Sequence, residues 1–151
     1  MIQISPVIDI EQALPILWEH DLKNQRINFP KDSPRRQLFE ERIRREYTEE
    51  PDGFFFIIEV DKIVGSLILK TKINHYRGKR YGDVRAIYLD EDKRGQGHGS
   101  RMLQFADDHF KSKGCSYVFA GISAQNPASN SLFTGSGYSQ TRVILEKEYE
   151  Q

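Results

Sequence analysis

The fourteen residues from Asp90 to Leu103, DEDKRGQGHGSRML, carry glycine at three alternate positions between a charged turn and the start of a predicted helix. They follow the apolar run AIYL at 86–89, which is typical of a buried strand. Glycine loses more conformational entropy on ordering than any other residue, so this cluster indicates that something approaches the backbone closely. We expect a strand, a bare turn and a helix start whose N–H groups hold an anion, because the helix dipole favours negative charge there.

Two other phosphate-binding patterns do not fit this stretch. A dinucleotide-binding G-x-G-x-x-G pattern counted from Gly95 requires glycine where the chain has Ser100, and counted from Gly97 where it has Met102. A Walker-type loop requires a lysine followed by Ser or Thr after its last glycine, whereas Ser100 follows Gly99 directly. The spacing therefore excludes both patterns.

The chain has 151 residues with 22 Lys and Arg against 22 Asp and Glu, so its formal net charge is zero. No net electrostatic field marks the chain as a binder of nucleic acid or of membranes, and any anion site must be local.

The single cysteine excludes an internal disulfide, and the four histidines show no metal-ligand spacing, so we expect no metal. We expect one domain over residues 1–151, in a soluble, cytoplasmic protein, because no apolar run is long enough to cross a membrane.

The hydrophobic periodicity predicts the element order β, α, α, β, β, β, α, β, α, β. Parallel pairing is possible only across the two later helices, so the pattern predicts an α+β (mixed α/β) fold with a mostly antiparallel sheet flanked by about four helices. The basic stretch 72–81 is expected to be a loop. The predicted helices span 9–22, 35–47, 100–113 and 128–136, and the predicted strands span 1–5, 54–60, 63–71, 82–89, 116–122 and 138–149.

Two stretches resemble the GNAT superfamily of N-acetyltransferases. Residues 94–99, RGQGHG, resemble the family's R/Q-x-x-G-x-G/A acyl-CoA loop, and IYLDEDK before them stands where relatives often read LYVDPEY. The likeness covers about residues 54–145 and implies a GNAT-like fold, in which the fourth strand splays from a parallel fifth strand. The family's N-x-x-A/S-x-x-L-Y-x-x-x-G-F/Y helix is matched by Asn126, Ser129, Leu132, Phe133, Gly137 and Tyr138.

The resemblance also implies acetyl-CoA as a co-substrate. Its pantetheine arm would run along the fourth strand and bond the backbone there, while its diphosphate would sit on the N–H groups of residues 94–99. A third group of residues, on the helix after residue 126, would line the far side of the arm. The implied coenzyme-binding residues are Ile87, Tyr88, Leu89, Arg94, Gly95, Gln96, Gly97, His98, Gly99, Asn126, Ser129 and Phe133.

Acyl transfer to an amine needs a base, because an alkyl amine is mostly protonated at neutral pH. We expect Asp83 in this role, since it lies four residues before Ile87 on the strand where many relatives carry a carboxylate facing the cleft. Glu59 is an alternative base. The resemblance implies that the backbone N–H of Leu89 stabilises the oxyanion.

The general acid is left open by a departure from the family pattern. Phe133 stands where relatives commonly have a tyrosine that protonates the departing thiolate, and a phenyl ring has no proton to give. Tyr138 or Tyr88 can take its place. Alternatively no acid is needed, because a thiolate of pKa about 8.5 leaves tolerably without help.

The expected function is transfer of an acetyl group from acetyl-CoA to a primary amine of a small molecule, peptide or protein, directly within a ternary complex. An alternative is a CoA-binding sensor that has lost turnover, which Phe133 favours. A longer acyl thioester as donor is a further alternative. Many family members dimerise through late strands, so a homodimer is also an expectation. The acceptor amine is not revealed by the sequence.

Overall fold

A computed structural model describes residues 1–150, which form a five-stranded sheet with four helices. The strands follow each other across the sheet in chain order, all antiparallel except the last pair, which is parallel. The predicted α+β class with a mostly antiparallel sheet is therefore confirmed. The strands are β1 (Gln3–Pro6), β2 (Phe54–Glu59), β3 (Lys62–Asn74), β4 (Lys79–Leu89) and β5 (Tyr117–Phe119); the helices are α1 (Ile10–Asn28), α2 (Arg36–Glu49), α3 (His98–Ser112) and α4 (Pro127–Gly135).

The sheet separates two hydrophobic cores, because successive side chains of a strand point to opposite faces. Phe54 packs with residues of α1 and α2, whereas its neighbour Phe55 packs with residues of α3. The first core contains Val7, Ala13, Leu14, Leu17, Phe39, Ile43, Phe54 and Ile68. The second contains Ile2, Phe55, Ile57, Val64, Leu67, Leu69, Val84, Leu89, Met102, Leu103, Ala106, Phe110 and Phe133.

One extra residue in β4 changes the course of that strand. Ile68 pairs with Ala86 but Leu69 pairs with Val84, so Arg85 is left as a bulge. A bulge bends its strand and increases the local twist. The Arg85 guanidinium donates to the buried carboxylate of Glu46 on α2, at 2.6 and 3.2 Å. β4 and β5 pair only up to residues 83 and 119, just before this bulge, and then diverge.

The structure differs from the sequence-based expectation in the β3–β4 hairpin and in β5. The basic stretch 72–81 was expected to be a loop, but β3 and β4 pair through it as far as Asn74 and Lys79. Its charged side chains are tolerated because one face of an antiparallel hairpin can point to water. β5 has three residues rather than the expected seven, since β4 leaves it after Phe119.

The expected closing strand at 138–149 is wrong. Residues 139–150 have no regular secondary structure and are exposed, including Val143, Ile144 and Leu145 at 71, 85 and 90 %. The pattern of these residues suits a strand, but they pair with no strand within residues 1–150. Within that range, no helix combines the length and the apolar character needed to cross a membrane.

Gly82 provides a test of the packing between β4 and α3. A Cβ added at Gly82 would collide with the Phe110 ring, which lies in the second core. We expect Gly82→Ala to lower the free energy of unfolding by about 1–3 kcal/mol, because overpacking a filled core forces its neighbours to shift. Urea unfolding followed by circular dichroism measures the change.

Gly121→Ala is the matched control, since a Cβ there would meet nothing within 4 Å. We expect that variant to be as stable as the original chain or slightly more stable. Equal stability of the two variants would contradict the close contact between Gly82 and Phe110.

Candidate active site

A cavity of about 310 Å³ opens where β4 diverges from β5. Its volume lies at the lower end of the range of small-molecule pockets. It is walled by the end of α1, the end of β4, residues 94–99, which we call the glycine loop, and the starts of α3 and α4. The lining residues are Asn24, Ile27, Ile87, Tyr88, Leu89, Arg94, Gly95, Gly97, Gly99, Ser100, Met102, Asn126, Ala128, Ser129 and Leu132.

The end of β4 presents hydrogen-bond donors to this cavity. The Asp90 N–H donates to the Val64 carbonyl at 2.8 Å, so the alternation of an antiparallel pair turns the backbone groups of Ile87 and Leu89 away from β3. Their carbonyls are already bonded by side chains: Asn24 donates to Ile87 O at 3.2 Å, and Arg94 Nε donates to Leu89 O at 2.9 Å. The two N–H groups face the gap that β5 has left.

Two of the three clustered glycines are required by backbone conformation. Gly95 and Gly97 have φ of 77° and 85°, in the left-handed region that favours glycine. A Cβ on either would meet nothing within 4 Å, so the backbone is open on these sides. Gly99 has a different reason, because a Cβ there would come within 3.1 Å of Leu132 on α4. The third glycine therefore permits the close packing of α3 and α4.

The amino end of α3 has no side-chain cap within residues 1–150. Gly97 occupies the N-cap position, and the Arg101 N–H makes the first helical bond to its carbonyl at 3.2 Å. The first N–H groups of a helix have no partner inside it and carry partial positive charge. The bare start of this helix, beside Gly95 and Gly97, is therefore suited to hold an anion.

The charged side chains around the glycine loop are held by protein contacts. Lys93 contacts Glu59 at 2.7 Å, and the His98 ring lies 3.5 Å from the other oxygen of the same carboxylate. Lys93 lowers the pKa of the Glu59 carboxyl, which is therefore charged at neutral pH. The Arg94 guanidinium lies 5.9 Å from the centre of the Tyr88 ring. Glu59, the alternative base, is not a lining residue of the cavity.

Asn126 joins α4 to α1 across the cavity. Its side-chain oxygen accepts from the Ser129 N–H at 3.1 Å and so caps α4, and its amide donates to Asn28 at 3.4 Å. The motif-based expectation placed Asn126 and Ser129 beside the cavity, and both line it. The contact with Asn28 links the start of α4 to the end of α1, whose residues Asn24 and Ile27 also line the cavity.

Three of the expected coenzyme-binding residues do not line the cavity. Gln96 is exposed and donates to the Asp92 carbonyl at 3.2 Å, His98 faces Glu59, and Phe133 is buried in the second core. The other nine expected residues are brought together around it. Their binding roles stay predictions.

Asp83 lies at the last paired position of β4 and β5, opposite Phe119. It is 5 % exposed, and its Oδ2 contacts Lys72 of β3 at 2.9 Å. It does not line the cavity, whose β4 residues begin at Ile87, on the order of 13 Å further along an extended strand. Its role as the base stays a prediction.

Tyr138 lies in the second core rather than at the cavity. Its ring packs edge-on against Phe133, with the ring centres 5.0 Å apart. Its hydroxyl is buried without a hydrogen-bond partner in the described part of the chain. Burial, and to a lesser extent the charge of Asp107, raises its pKa. Tyr88 is the tyrosine among the lining residues.

Helix α1 contributes site residues that the sequence analysis missed. Asn24 and Ile27 line the cavity, but the helix was expected to end at residue 22. No local signal identifies them, because they reach the cavity only through tertiary packing. Earlier in the helix, His20 stacks on Tyr88 with ring centres 4.2 Å apart, and its Nδ1 lies 2.8 Å from Ser66 Oγ. Burial lowers the pKa of His20, so the stacked ring is neutral at pH 7.

No group of three or more His, Cys, Asp or Glu side chains among residues 1–150 is arranged to hold a metal ion. The cavity itself offers backbone N–H groups of β4 and α3 and the Tyr88 side chain, whereas Asp83 lies further back along β4.

Comparison with known proteins places the chain in a family. No curated protein sequence matches it. A possible acetyltransferase from Clostridium difficile 630 has 11 % identity and a TM-score of 0.77, covering 100 % of this chain and 99 % of that one. An aminoglycoside acetyltransferase, meta-AAC0020, from an uncultured soil metagenomic sample and in complex with sisomicin, has 16 % identity and a TM-score of 0.68, covering 99 % and 96 %.

The NatC complex bound to Gag peptide and CoA matches with 16 % identity and a TM-score of 0.70, covering 93 % of this chain and 86 % of that chain. At such identities these likenesses show a shared fold. The family model described as the Acetyltransferase (GNAT) family matches residues 15–138, which is more than half of the chain. The protein therefore belongs to the GNAT acetyltransferase family.

Proposed function

We propose that this protein is an N-acetyltransferase that moves an acetyl group from acetyl-CoA to a primary amine of a small molecule, peptide or protein. The observation that carries the proposal is the cavity beyond the last β4–β5 pair, with two backbone N–H groups of β4 at one wall and a bare helix start at another. This arrangement suits a ligand that combines an amide-containing arm with a diphosphate.

The proposed placement of acetyl-CoA follows from these donors. A carbonyl oxygen of the arm would accept from the Ile87 N–H, and the Leu89 N–H would be left for the thioester carbonyl. The carbonyls of these two residues are themselves bonded to Asn24 and Arg94. The diphosphate would lie on the N–H groups of the glycine loop and the first turn of α3. The left-handed Gly95 and Gly97 fit this role because their open faces let a phosphate reach the backbone.

In the proposed reaction the amine nitrogen attacks the thioester carbonyl carbon, a C–N bond forms, the C–S bond breaks and the amine loses a proton. We assign the proton to Asp83 through intervening water, because Asp83 lies outside the cavity wall, on the order of 13 Å along β4 from Ile87. Its Oδ2 is engaged by Lys72, which leaves Oδ1 to accept. The inward N–H of Leu89 would stabilise the developing oxyanion. Direct transfer within one ternary complex requires both substrates to be bound together.

Tyr88 is the candidate acid that would protonate the departing thiolate. Tyr88 lines the cavity, whereas Tyr138 and Phe133 pack together in the second core. Burial, followed by the neighbouring Asp90, raises the pKa of Tyr88, so it is protonated at neutral pH. A thiolate of pKa about 8.5 also departs without an acid, so transfer does not depend on this residue.

The acceptor class is proposed from the similar structures. An aminoglycoside acetyltransferase with sisomicin and the NatC complex with a Gag peptide share this fold. They support a small-molecule amine and a peptide amine equally, so the proposal keeps both. CoA in the second of these complexes supports the coenzyme.

A CoA-binding sensor without turnover is the second candidate function. It is favoured by the absence of a hydroxyl on Phe133 and by the burial of the Tyr138 hydroxyl in the core. Titration calorimetry with CoA, followed by a thiol-release assay over a panel of amines, separates the two functions. Saturable binding with release of thiol supports the enzyme, and binding without release on any amine supports the sensor. A titration without heat at millimolar CoA would contradict both.

Gly97→Val tests the position of the diphosphate. A valine is strained at φ of 85° and its branched side chain would cover the open backbone. We expect the KM for acetyl-CoA to rise at least about tenfold while the chain stays folded. Gly78→Val is the control, since Gly78 has φ of 64° and equally open space but lies in the β3–β4 turn. A similar KM in both variants would place the diphosphate elsewhere.

Asp83→Asn tests the base. We expect kcat to fall by about 10²- to 10⁴-fold, since asparagine cannot take the proton, with the larger loss at low pH where less free amine is present. The affinity for CoA should be unchanged, because Asp83 does not line the cavity. A pH–rate profile and calorimetry measure the two effects. The exposed Asp108→Asn is the control, and a wild-type profile for Asp83→Asn would remove the role.

A further inference from the structure

The glycine loop is anchored from outside the cavity by a single carboxylate. Glu59 Oε1 contacts Lys93 Nζ at 2.7 Å, and Oε2 lies 3.5 Å from His98 Nε2. Lys93 immediately precedes the loop's first residue, and His98 is the first residue of α3. The Lys93 contact therefore holds the chain just before Arg94–Gly97, the segment that contains both left-handed glycines. The same carboxylate lies beside His98 after that segment, but His98 Nε2 has no hydrogen-bond partner in the described part of the chain.

Glu59 is itself firmly placed. It is the last residue of β2 and pairs with Lys62 across a two-residue turn, Val60 and Asp61, with φ of 49° and 62°. Its side chain is 15 % exposed, and those of Lys93 and His98 are 30 % and 14 % exposed. Contacts of such shielded groups are screened less by salt than those of exposed pairs. Glu59 does not line the cavity, so it can act on a ligand there only through the loop.

The loop has few other backbone restraints, although the side chains of Arg94 and Gln96 donate to the carbonyls of Leu89 and Asp92. Among the described residues, its backbone bonds are from the Arg94 N–H to the Glu91 carbonyl at 3.3 Å and from the Arg101 N–H to the Gly97 carbonyl. The N–H groups of Gly95 and Gln96 have no backbone partner there. A glycine-rich segment loses much entropy when a ligand orders it. Fixing the segment beforehand lowers that cost and so strengthens binding.

We propose that Glu59 is a positioning residue, which holds the glycine loop in its phosphate-binding conformation through its ion pair with Lys93. The inference rests on the proposed function, because it assigns a diphosphate to this loop. Glu59 does not line the cavity and touches neither the acyl group nor the amine in this account, which replaces its expected role as the alternative base. Its loss should therefore weaken coenzyme binding and leave turnover at saturating coenzyme unchanged.

An opposite effect of Glu59 is also conceivable on electrostatic grounds. A carboxylate near a diphosphate repels it, and removal of that carboxylate would free Lys93 to bind phosphate. That account predicts tighter binding without Glu59 and weaker binding without Lys93. The anchoring account predicts weaker binding in both cases, because either change removes the same contact. Measurements on the two variants therefore separate the accounts.

The experiment compares Glu59→Gln and Lys93→Met by calorimetry with CoA and with pantetheine, which lacks the phosphates. We expect each variant to raise the Kd for CoA by roughly fivefold, the size of effect expected for one partly shielded ion pair, and to leave pantetheine binding unchanged. The double variant should be no weaker than the weaker single variant. KM for acetyl-CoA should rise in step, with kcat unchanged.

Glu49→Gln is the matched control, because it breaks a glutamate–lysine contact of 2.8 Å, to Lys70, at the opposite end of α2 from the loop. It should bind CoA like the original chain. Thermal melts show whether each variant is folded. An unchanged or lower Kd for CoA in Glu59→Gln would overturn the inference, as would equal weakening of CoA and pantetheine. Failure of the original chain to bind CoA would instead overturn the proposed function, and this inference with it.

Discussion

The site depends on one extra residue in β4. The bulge at Arg85 turns that strand away from β5, so that pairing stops at Asp83 and an open strand edge is left in the middle of the fold. The buried Glu46 carboxylate holds the bulge through two bonds to the guanidinium. A regular strand would continue the ladder and fill the space that the cavity occupies. Backbone pairing therefore determines where the gap lies, and the side chains around the gap determine which ligand groups it can bind.

Two sets of backbone hydrogen-bond donors lie beside this gap. The end of β4 offers the N–H groups of Ile87 and Leu89, and the start of α3 offers those of a first helical turn. Both sets belong to regular elements, so their directions are fixed by the fold before any ligand arrives. The glycine loop between them lies outside regular structure up to Gly97 and is restrained by side-chain bonds of Arg94 and Gln96. In our proposal Glu59 adds a further restraint from β2, two strands away from β4.

Sequence patterns predicted those parts of the site whose residues lie close together along the chain. The glycine loop and the helix after Asn126 each carry their signal within a few residues, and both were placed beside the cavity. Asn24 and the contact of Glu59 with Lys93 could not be found in this way, because these contacts join residues 63 and 34 positions apart. The prediction of a closing strand was wrong for a related reason. The residue types at 138–149 suit a strand, but a sequence pattern does not show whether a neighbouring strand is available to pair with it.

The bonded carbonyls of Ile87 and Leu89 have a consequence for the behaviour of the protein in solution. An unpaired strand edge normally invites a strand from another molecule, and this is a common start of aggregation. Here Asn24 and Arg94 occupy the acceptors, so an incoming strand would meet donors alone and could complete only half of a ladder. Asn24 and Arg94, which help to shape the cavity, therefore also protect the unpaired edge of β4 from pairing with a strand of another molecule.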